Sequence, residues 1–431
     1  MTTAHLYALF LAHPQVTTDT RHCPKGSIFF ALRGANFNGN RFARQALEAG
    51  CAYAVIDDSA MADNEDKRLV LVDDVLQALQ ALAAHHRKTL GLPVLQITGT
   101  NGKTTTKELC AAVLQRKFNV LFTEGNLNNH IGVPLTLLRL TKEHEIAIVE
   151  TGANHPGEIA LLSQIADPDY GLITNVGKAH LEGFGSFEGV KRTKAELYAY
   201  LRQKEGGKIF LHSDDADLVA MAKGLEAFTY GAPDSGADIE GAAVGDSAFL
   251  QICWKGEDGH AVEAKTQLIG AYNAANALVA IAVGRHFGLA DAEIAQALAD
   301  YTPSNNRSEL KRTATNELIV DAYNANPTSM AAALDNFQRI GHGHKLAIIG
   351  EMRELGQTSE AEHATVVERL VALGCEAWLV GEHFAPFANR FPWFADIDAL
   401  KAHLTAHPVT NRLILIKGSN GTKLFQLPEV L

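Results

Sequence analysis

In the stretch Thr98-Gly99-Thr100-Asn101-Gly102-Lys103-Thr104-Thr105-Thr106, glycines, hydroxyls and one lysine are packed into a short span. An apolar run, Pro93-Val94-Leu95-Gln96-Ile97, precedes it, and an amphipathic stretch over residues 107–117 follows. Strand, glycine loop and helix in that order aim backbone N–H groups and the positive end of a helix at phosphate. Lys103 is placed to reach the outer phosphates of a nucleotide and the Thr104 hydroxyl to ligate Mg2+, while Gly99 and Gly102 let the backbone come close. Thr100, Asn101 and Thr105 complete the candidate nucleotide loop. The strict phosphate-loop pattern wants a glycine five positions before Gly102, where this chain has Ile97, so a chance glycine turn is the competing reading.

A second group follows the apolar run that ends in Val149-Glu150-Thr151-Gly152. Ligands of open α/β sheets bind at the carboxyl edge of the strands, which places Glu150 as a Mg2+ ligand. Asn175 and His180 follow the next apolar run, Gly171-Leu172-Ile173-Thr174. Alone, such an acid is a solvated strand end and such a histidine a structural one; three metal-capable groups after neighbouring strands point instead to a cation site. Lys194 reads, on spacing alone, as one more exposed cation on a helix. Two asparagine-rich stretches, around Asn126, Asn128 and Asn129 and around Asn324 and Asn326, both donate and accept hydrogen bonds. That suits peptide or sugar recognition, and it suits loop capping equally.

These residues need a frame of strands and helices, and the pattern supplies three. A chain of 431 residues suggests about three domains. Residues 1–80 alternate strand, turn, helix and strand patterns and read as a small α/β domain. Residues 81–302 alternate apolar strands with helical stretches, the signature of a doubly wound parallel sheet with crossover helices. Turn formers cluster over residues 301–306, and residues 303–431 repeat the strand–helix alternation to the C-terminus as a third α/β unit.

Composition limits what this frame can serve. Lys plus Arg number 38 against 49 Asp plus Glu, a net charge of −11, which argues against binding nucleic acid or anionic lipid non-specifically. Anionic ligands must therefore meet a local positive site. No apolar run approaches a membrane span and the N-terminus lacks a signal-peptide pattern, so a cytoplasmic protein without stable membrane insertion is expected. The five cysteines are scattered and never form a C-x-x-C pair, which indicates neither a disulfide framework nor a structural zinc site.

Together these residues resemble the ATP-dependent Mur ligases of peptidoglycan synthesis, over essentially the whole chain. Thr18-Asp19-Thr20-Arg21, the loop from Gly99 to Thr104, Glu150, His180, Lys194 and Gly270-Ala271-Tyr272-Asn273-Ala274-Ala275-Asn276 stand in the family's order and spacing. The family's glycine loop also lacks the first glycine, which removes the objection raised by Ile97. Asp321-Ala322-Tyr323-Asn324-Ala325-Asn326-Pro327 and Gly350-Glu351-Met352-Arg353-Glu354-Leu355-Gly356, with Glu362-His363, resemble most the member that adds D-alanyl-D-alanine to a UDP-linked muramoyl tripeptide. The Asp-Asn-Pro-Arg type motif of the diaminopimelate-adding sister ligase is missing from the sequence. Asn40 and Asn420 depart from the family, standing where His and Arg are common.

The resemblance implies three domains: an N-terminal α/β domain for the nucleotide-sugar, a central P-loop ATPase domain with a doubly wound parallel sheet, and a C-terminal Rossmann-like α/β domain. It implies ATP and two Mg2+ ions, the first on Thr104 and Glu150, the second on His180 and a carbamylated Lys194. Asn273 and Asn276 would lie by the adenine, and Arg307 and Asp321 would reach the phosphates and ribose when the domains close. Thr20 and Arg21, with Asn126, Asn128, Asn129, Asn324 and Asn326, would serve the substrates, UDP-N-acetylmuramoyl-tripeptide and D-alanyl-D-alanine. Lys103 and Arg307 would be the cations that draw carboxylate and triphosphate together. A monomer is expected. The alternatives are addition of a single amino acid by a sister ligase, glutamate addition to folate in the manner of folylpolyglutamate synthase, and a nucleotide switch that ligates nothing.

Overall fold

The computed structural model describes residues 1–431 except 64, 246, 304–306 and 308, so part of the turn cluster expected over 301–306 lies outside the described residues. Three larger sheets follow one another along the chain, and a two-stranded ribbon, Arg33–Gly34 with Phe37–Asn38, accompanies the first. The first is parallel, in the order Val16–Thr17, Ile28–Phe30, Tyr53–Ile56, Leu69–Leu71. Strand side chains alternate between faces. Accordingly Ile28 and Phe30 pack with the helices Thr3–Ala12 and Val75–Leu90, while Phe29 and Ala31 pack with Ala43–Glu48 on the other side. Val75–Leu90 leads on to the second sheet; Asp74 caps it by accepting from the Gln77 N–H at 2.8 Å, and Gly91 ends it with a left-handed φ of 66°.

The second sheet has nine strands in the order Ala261–Ile269, Phe249–Lys255, Ile239–Val244, Glu226–Gly231, Lys208–His212, Tyr170–Ile173, Val94–Thr98, Ile146–Glu150, Val120–Phe122. From Val94–Thr98 the chain crosses to the edge strand Val120–Phe122, returns to fill the gap with Ile146–Glu150, and then, at Tyr170–Ile173, begins on the other side. The crevice at such a reversal, on the carboxyl edge, is the ligand position of open α/β sheets. Thr98, Glu150 and Ile173 all end there, Thr98 paired with Ile173 and Glu150 with the preceding Ile97.

One difference from expectation concerns the far edge. Ile239–Val244, Phe249–Lys255 and Ala261–Ile269 pair antiparallel, so the doubly wound parallel sheet carries a three-stranded antiparallel extension. Phe249–Lys255 alternates buried and half-buried residues and Ala261–Ile269 follows a similar rhythm, as strands covered on one face do.

The third sheet runs Glu309–Arg312, Glu317–Asp321, Leu413–Lys417, Lys345–Gly350, Glu376–Val380, Trp393–Phe394, all parallel except the first. Its central strands are buried on both faces. Ile319, Ala347, Ile349 and Leu415 join one core, with the helices Pro327–Arg339 and Ser359–Leu373. Leu318, Leu346, Ile348 and Ile416 join the other, with Ile397–Ala406.

Candidate active site

The glycine loop opens where the strand Val94–Thr98 ends. Ile97 is fully buried and paired between Leu172 and Glu150, so the position where a glycine was wanted belongs to the sheet and the loop proper starts at Gly99. Gly99 has φ +143° and a Cβ there would meet the Thr174 hydroxyl at 2.0 Å. Gly102, at φ +81°, caps the helix Lys103–Leu114, and a Cβ on it would stand 2.7 Å from Asn276 Oδ1. Both positions therefore require glycine. Asn175 clamps the loop: its carbonyl accepts from Thr100 N at 3.0 Å, its Oδ1 from Asn101 N at 3.1 Å, and its Nδ2 donates to Asn101 O at 3.0 Å. Asn175 thus serves the loop backbone and not a metal shell.

Glu150 is buried, 1% exposed, at the end of its strand. Its Oε2 accepts from the Thr104 hydroxyl at 2.8 Å and its Oε1 from Asn128 Nδ2 at 2.8 Å. Lys103 curls back, donating from Nζ to Gly99 O at 2.8 Å and Thr100 O at 3.0 Å. Burial lowers the Lys103 ammonium to about 8, with Arg307 pushing the same way and Glu150 opposing. A buried carboxylate held only by a hydroxyl and a carboxamide, with no ion pair among the described residues, is short of positive charge. Hydroxyl and carboxylate oxygens are the donors that a hard cation such as Mg2+ takes, so the residues present fit it. Among the described residues no group of three or more His, Cys, Asp and Glu gathers; this site is built with hydroxyl, carboxamide and lysine beside its acid and histidine.

His180 caps the short helix Leu181–Phe184 in the left-handed region, φ 50°. Non-glycine residues held there cost on the order of 1 kcal/mol and persist only where the surroundings fix them. Its Nδ1 contacts the Glu354 carboxylate of the third domain. Burial lowers the imidazole below its ordinary range; the nearby Lys103 and Lys194 act in the same sense, and Glu354 opposes.

Lys194 corrects the reading from spacing. It is not an exposed cation: on the helix Phe187–Gln203 it is 3% exposed, its Nζ lies 5.7 Å from the Phe184 ring centre, and it has no hydrogen bond or ion pair among the described residues. Burial, aided by Lys103 and opposed by Glu158 and Glu196, lowers its amine to about 7. A substantial share of it is then neutral and nucleophilic near neutral pH. The charged form is disfavoured only in the fold, so the burden is full below pH 7 and fades as pH rises towards the ordinary lysine value. Lys194→Met is therefore expected to raise thermal stability at pH 6.5–7.5 by on the order of a few kcal/mol, with the gain vanishing near pH 10. Melting curves across that range in CO2-free buffer test this; equal or lower stability of the variant at pH 7 refutes it.

The site closes against the third domain around a cavity of about 710 Å³. Lys103, Glu150 and Lys194 line one side, Arg307, Asp321 and Lys417 the other. His180, Asn128, Asn129, Asn324, Asn273 and Asn276 line it as well, with Gly99, Thr100, Asn101, Gly102 and Thr105 of the loop. Asn276 accepts from Thr106 Oγ1 at 3.1 Å and donates to Asn273 Oδ1 at 2.8 Å, forming a wall behind Gly102. The Arg307 guanidinium lies 4.0 Å from the Tyr323 ring centre, a cation–π contact. Lys417, 1% exposed, donates to Asp321 Oδ2 at 2.7 Å.

Other candidates fall outside the cavity wall. Thr104 reaches it through Glu150. Asn326 bridges the domains, donating to Asn101 Oδ1 at 2.7 Å, and caps the helix Pro327–Arg339. Asn126 is exposed, and Thr20 and Arg21 sit in the first domain, where Arg21 is held by Asp19 at 2.6 Å. Asn40, one of the departures, is a buried structural residue that exchanges hydrogen bonds with Asp57 at 2.8 and 2.9 Å. Sequence reasoning missed Lys417, Tyr323 and Glu354 as parts of the site. Lys417 carried the signal that singled out Glu150, a charge ending a wholly buried strand.

Known proteins are similar throughout. Residues 97–284 match the Mur ligase middle domain, 306–420 the Mur ligase glutamate ligase domain, and 14–87 the Mur ligase family catalytic domain. A Bacillus subtilis protein named UDP-N-acetylmuramoyl-tripeptide--D-alanyl-D-alanine ligase is 35% identical over 450 residues, covering 98% of this chain and 95% of its own. The crystal structure of MurF from Acinetobacter baumannii superposes with a TM-score of 0.85 at 30% identity, covering 96% of this chain and 92% of that one. MurF ligase from Thermotoga maritima in complex with ADP gives 0.84 at 26% identity, with 97% of each chain covered.

Proposed function

The chain belongs to the Mur ligase family, and on that premise we propose that it is an ATP-dependent ligase joining D-alanyl-D-alanine to the terminal carboxylate of UDP-N-acetylmuramoyl-tripeptide. The observation that carries this reading is the meeting of the nucleotide loop, Glu150, His180 and the unpaired Lys194 in one cavity closed by Arg307 and Asp321.

An amide does not form from carboxylate and amine in water unless the carboxylate is activated. The carboxylate oxygen attacks the γ-phosphorus of ATP, ADP leaves, and the resulting acyl phosphate is attacked by the dipeptide amine, which expels phosphate and loses a proton. On a chain of net charge −11, local cations must gather the anions. Lys103 exchanges its loop carbonyls for the outer phosphates, and Arg307 comes over from the third domain. Thr104 and Glu150 would hold one Mg2+, and His180 with Lys194 would support a second. Cations bound there would supply neutralisation of charge on the transferring phosphoryl group. Asn273 and Asn276 border the adenine, and Asp321, steadied by Lys417, faces the ribose.

Lys194 supports a cation as its carbamate. The neutral amine adds to CO2 and releases a proton, turning a buried positive charge into a carboxylate-like ligand. Its depressed basicity and lack of a partner favour that chemistry. Asn128, Asn129, Asn324 and Asn326 border the peptide, with Asn126 on the same loop, and Thr20 and Arg21 lie in the domain for the nucleotide-sugar. The domains divide at about residues 80 and 302. A monomer would suffice for this chemistry, because one chain supplies both the nucleotide loop and the third-domain residues that face it. No described helix is long and apolar enough to cross a membrane, and a cytoplasmic setting supplies ATP and the UDP-linked precursor.

Tripeptide labelled with ¹⁸O in its terminal carboxylate is expected to deliver one labelled oxygen to the released phosphate. Label-free phosphate would exclude the acyl-phosphate route.

A further inference from the structure

The contact between His180 and Glu354 joins two domains at two constrained residues. Glu354, like His180, holds a left-handed backbone, φ 63° against 50°, without being glycine. Its segment is fixed from below: Met352 and Leu355 are buried in the third domain's core, Met352 N donates to the ring of His363 at 3.0 Å, and Arg353 N donates to the Ser419 hydroxyl at 3.1 Å. Between these anchors Glu354 extends to His180. On the other side, His180 is fixed by the turn that brings Gly183 N and Phe184 N onto its carbonyl at 3.0 and 3.1 Å. A Cβ at Gly183 would meet Asn154 O at 2.1 Å, so this turn is seated closely on its own domain.

His180 Nδ1 is buried and, among the described residues, has no hydrogen-bond partner apart from the Glu354 carboxylate it touches. An ionised carboxylate only accepts, so Nδ1 is the donor in this contact, and in the neutral ring Nε2 keeps its lone pair. Since the ring lines the cavity while Nδ1 is buried, the lone pair is the group left for the cavity. A carboxylate behind a metal-facing imidazole fixes tautomer and ring orientation and strengthens the ligand. We propose that Glu354 is a positioning residue that completes His180 as a cation-supporting group only when the third domain docks, so that phosphoryl transfer waits for closure. This rests on the ligase reading given above. It also explains why the carboxylate comes from the third domain: in an open chain the imidazole lacks its orienting partner, and ATP is not spent before the acceptor is enclosed.

A second interdomain pair provides the control. Lys178 Nζ meets Glu362 Oε1 at 2.9 Å, two residues from His180 but outside the cavity. It joins the same two domains without touching the imidazole.

The test compares Glu354→Ala, Glu354→Gln and Glu362→Gln with the parent chain. Two readouts are taken: kcat and KM for the ligation, and Mn2+ affinity by electron paramagnetic resonance with a non-hydrolysable ATP analogue and UDP-muramoyl tripeptide. Glu354→Ala is expected to lower kcat and Mn2+ affinity by about 10–100-fold each, with KM values changed by less than about threefold. Glu354→Gln, which keeps an acceptor oxygen, is expected to recover most of both. Glu362→Gln is expected to leave kcat and Mn2+ affinity unchanged. Unaltered kcat and Mn2+ affinity in Glu354→Ala, or an equal loss in Glu362→Gln, would overturn the proposal. A parent chain that fails to ligate would instead overturn the ligase reading.

Discussion

Lys103→Ala is expected to reduce ATP turnover by at least about 10³-fold while the chain keeps its fold. The lysine stands at the first turn of the helix Lys103–Leu114 and spends its ammonium on two carbonyls of its own loop, at 2.8 and 3.0 Å. Those carbonyls are poor partners for a buried cation; a triphosphate is a far better one, and its charge would raise the amine back from about 8. Alanine leaves the transferring phosphoryl group without its nearest protein cation. It removes little from the core, because the side chain packs into a loop and not a sheet. A second consequence distinguishes this mechanism from general damage. Lys103 is one of the groups that depress Lys194, so the Lys194 amine should become more basic in the variant. Release of ADP measured with both substrates present checks the first effect; turnover within tenfold of the parent would remove Lys103 from the phosphate site.

Lys194→Ala is expected to lower ligation by about 10²–10³-fold, with part of the rate restored by added formate or acetate. An ordinary lysine has no reason to respond to a small carboxylate. One that works as a carbamate does, because the additive can occupy the space and charge that the carbamate vacated. The loss should fall mainly on kcat, since among the described residues Lys194 makes no hydrogen bond or ion pair with the loop that holds the nucleotide. Full activity without additive, or a loss that no carboxylate relieves, would sink the carbamate role. The same substitution separates catalysis from stability. Removing the buried amine relieves the fold of a charge it holds poorly, so a variant that is inactive yet no less stable is the expected combination.

The sequence carried much of this because the loop and the strand ends obey local rules. Gly99 and Gly102 could be read as glycines required by the backbone, and the structure places them where any Cβ would collide. Glu150 could be read as a charge ending an apolar strand, and strand order then brings it beside the loop. The three α/β units were legible in alternating periodicities. What lay outside local rules was set by packing between distant segments. Lys194 has a helical spacing like any surface lysine, and only the packing of its helix against the neighbouring elements, Phe184 among them, buries it. Glu354 lies 174 residues from His180, and nothing near either of them announces the contact. The antiparallel edge over residues 239–269 was missed for a different reason: its alternation was present, but crossover helices elsewhere in the domain favoured a wholly parallel reading.

The central claim is that this cavity ligates a D,D-dipeptide and not another amine. The most direct measurement is phosphate release with Mg-ATP and UDP-N-acetylmuramoyl-tripeptide, offering D-alanyl-D-alanine, diaminopimelate, lysine or glutamate in turn, with mass spectrometry of the product. Release and a UDP-linked pentapeptide with D-alanyl-D-alanine alone is the expected result. Release and product with one of the single amino acids would move the chain to a sister activity. Phosphate released at the same rate with no acceptor present would contradict ligation altogether.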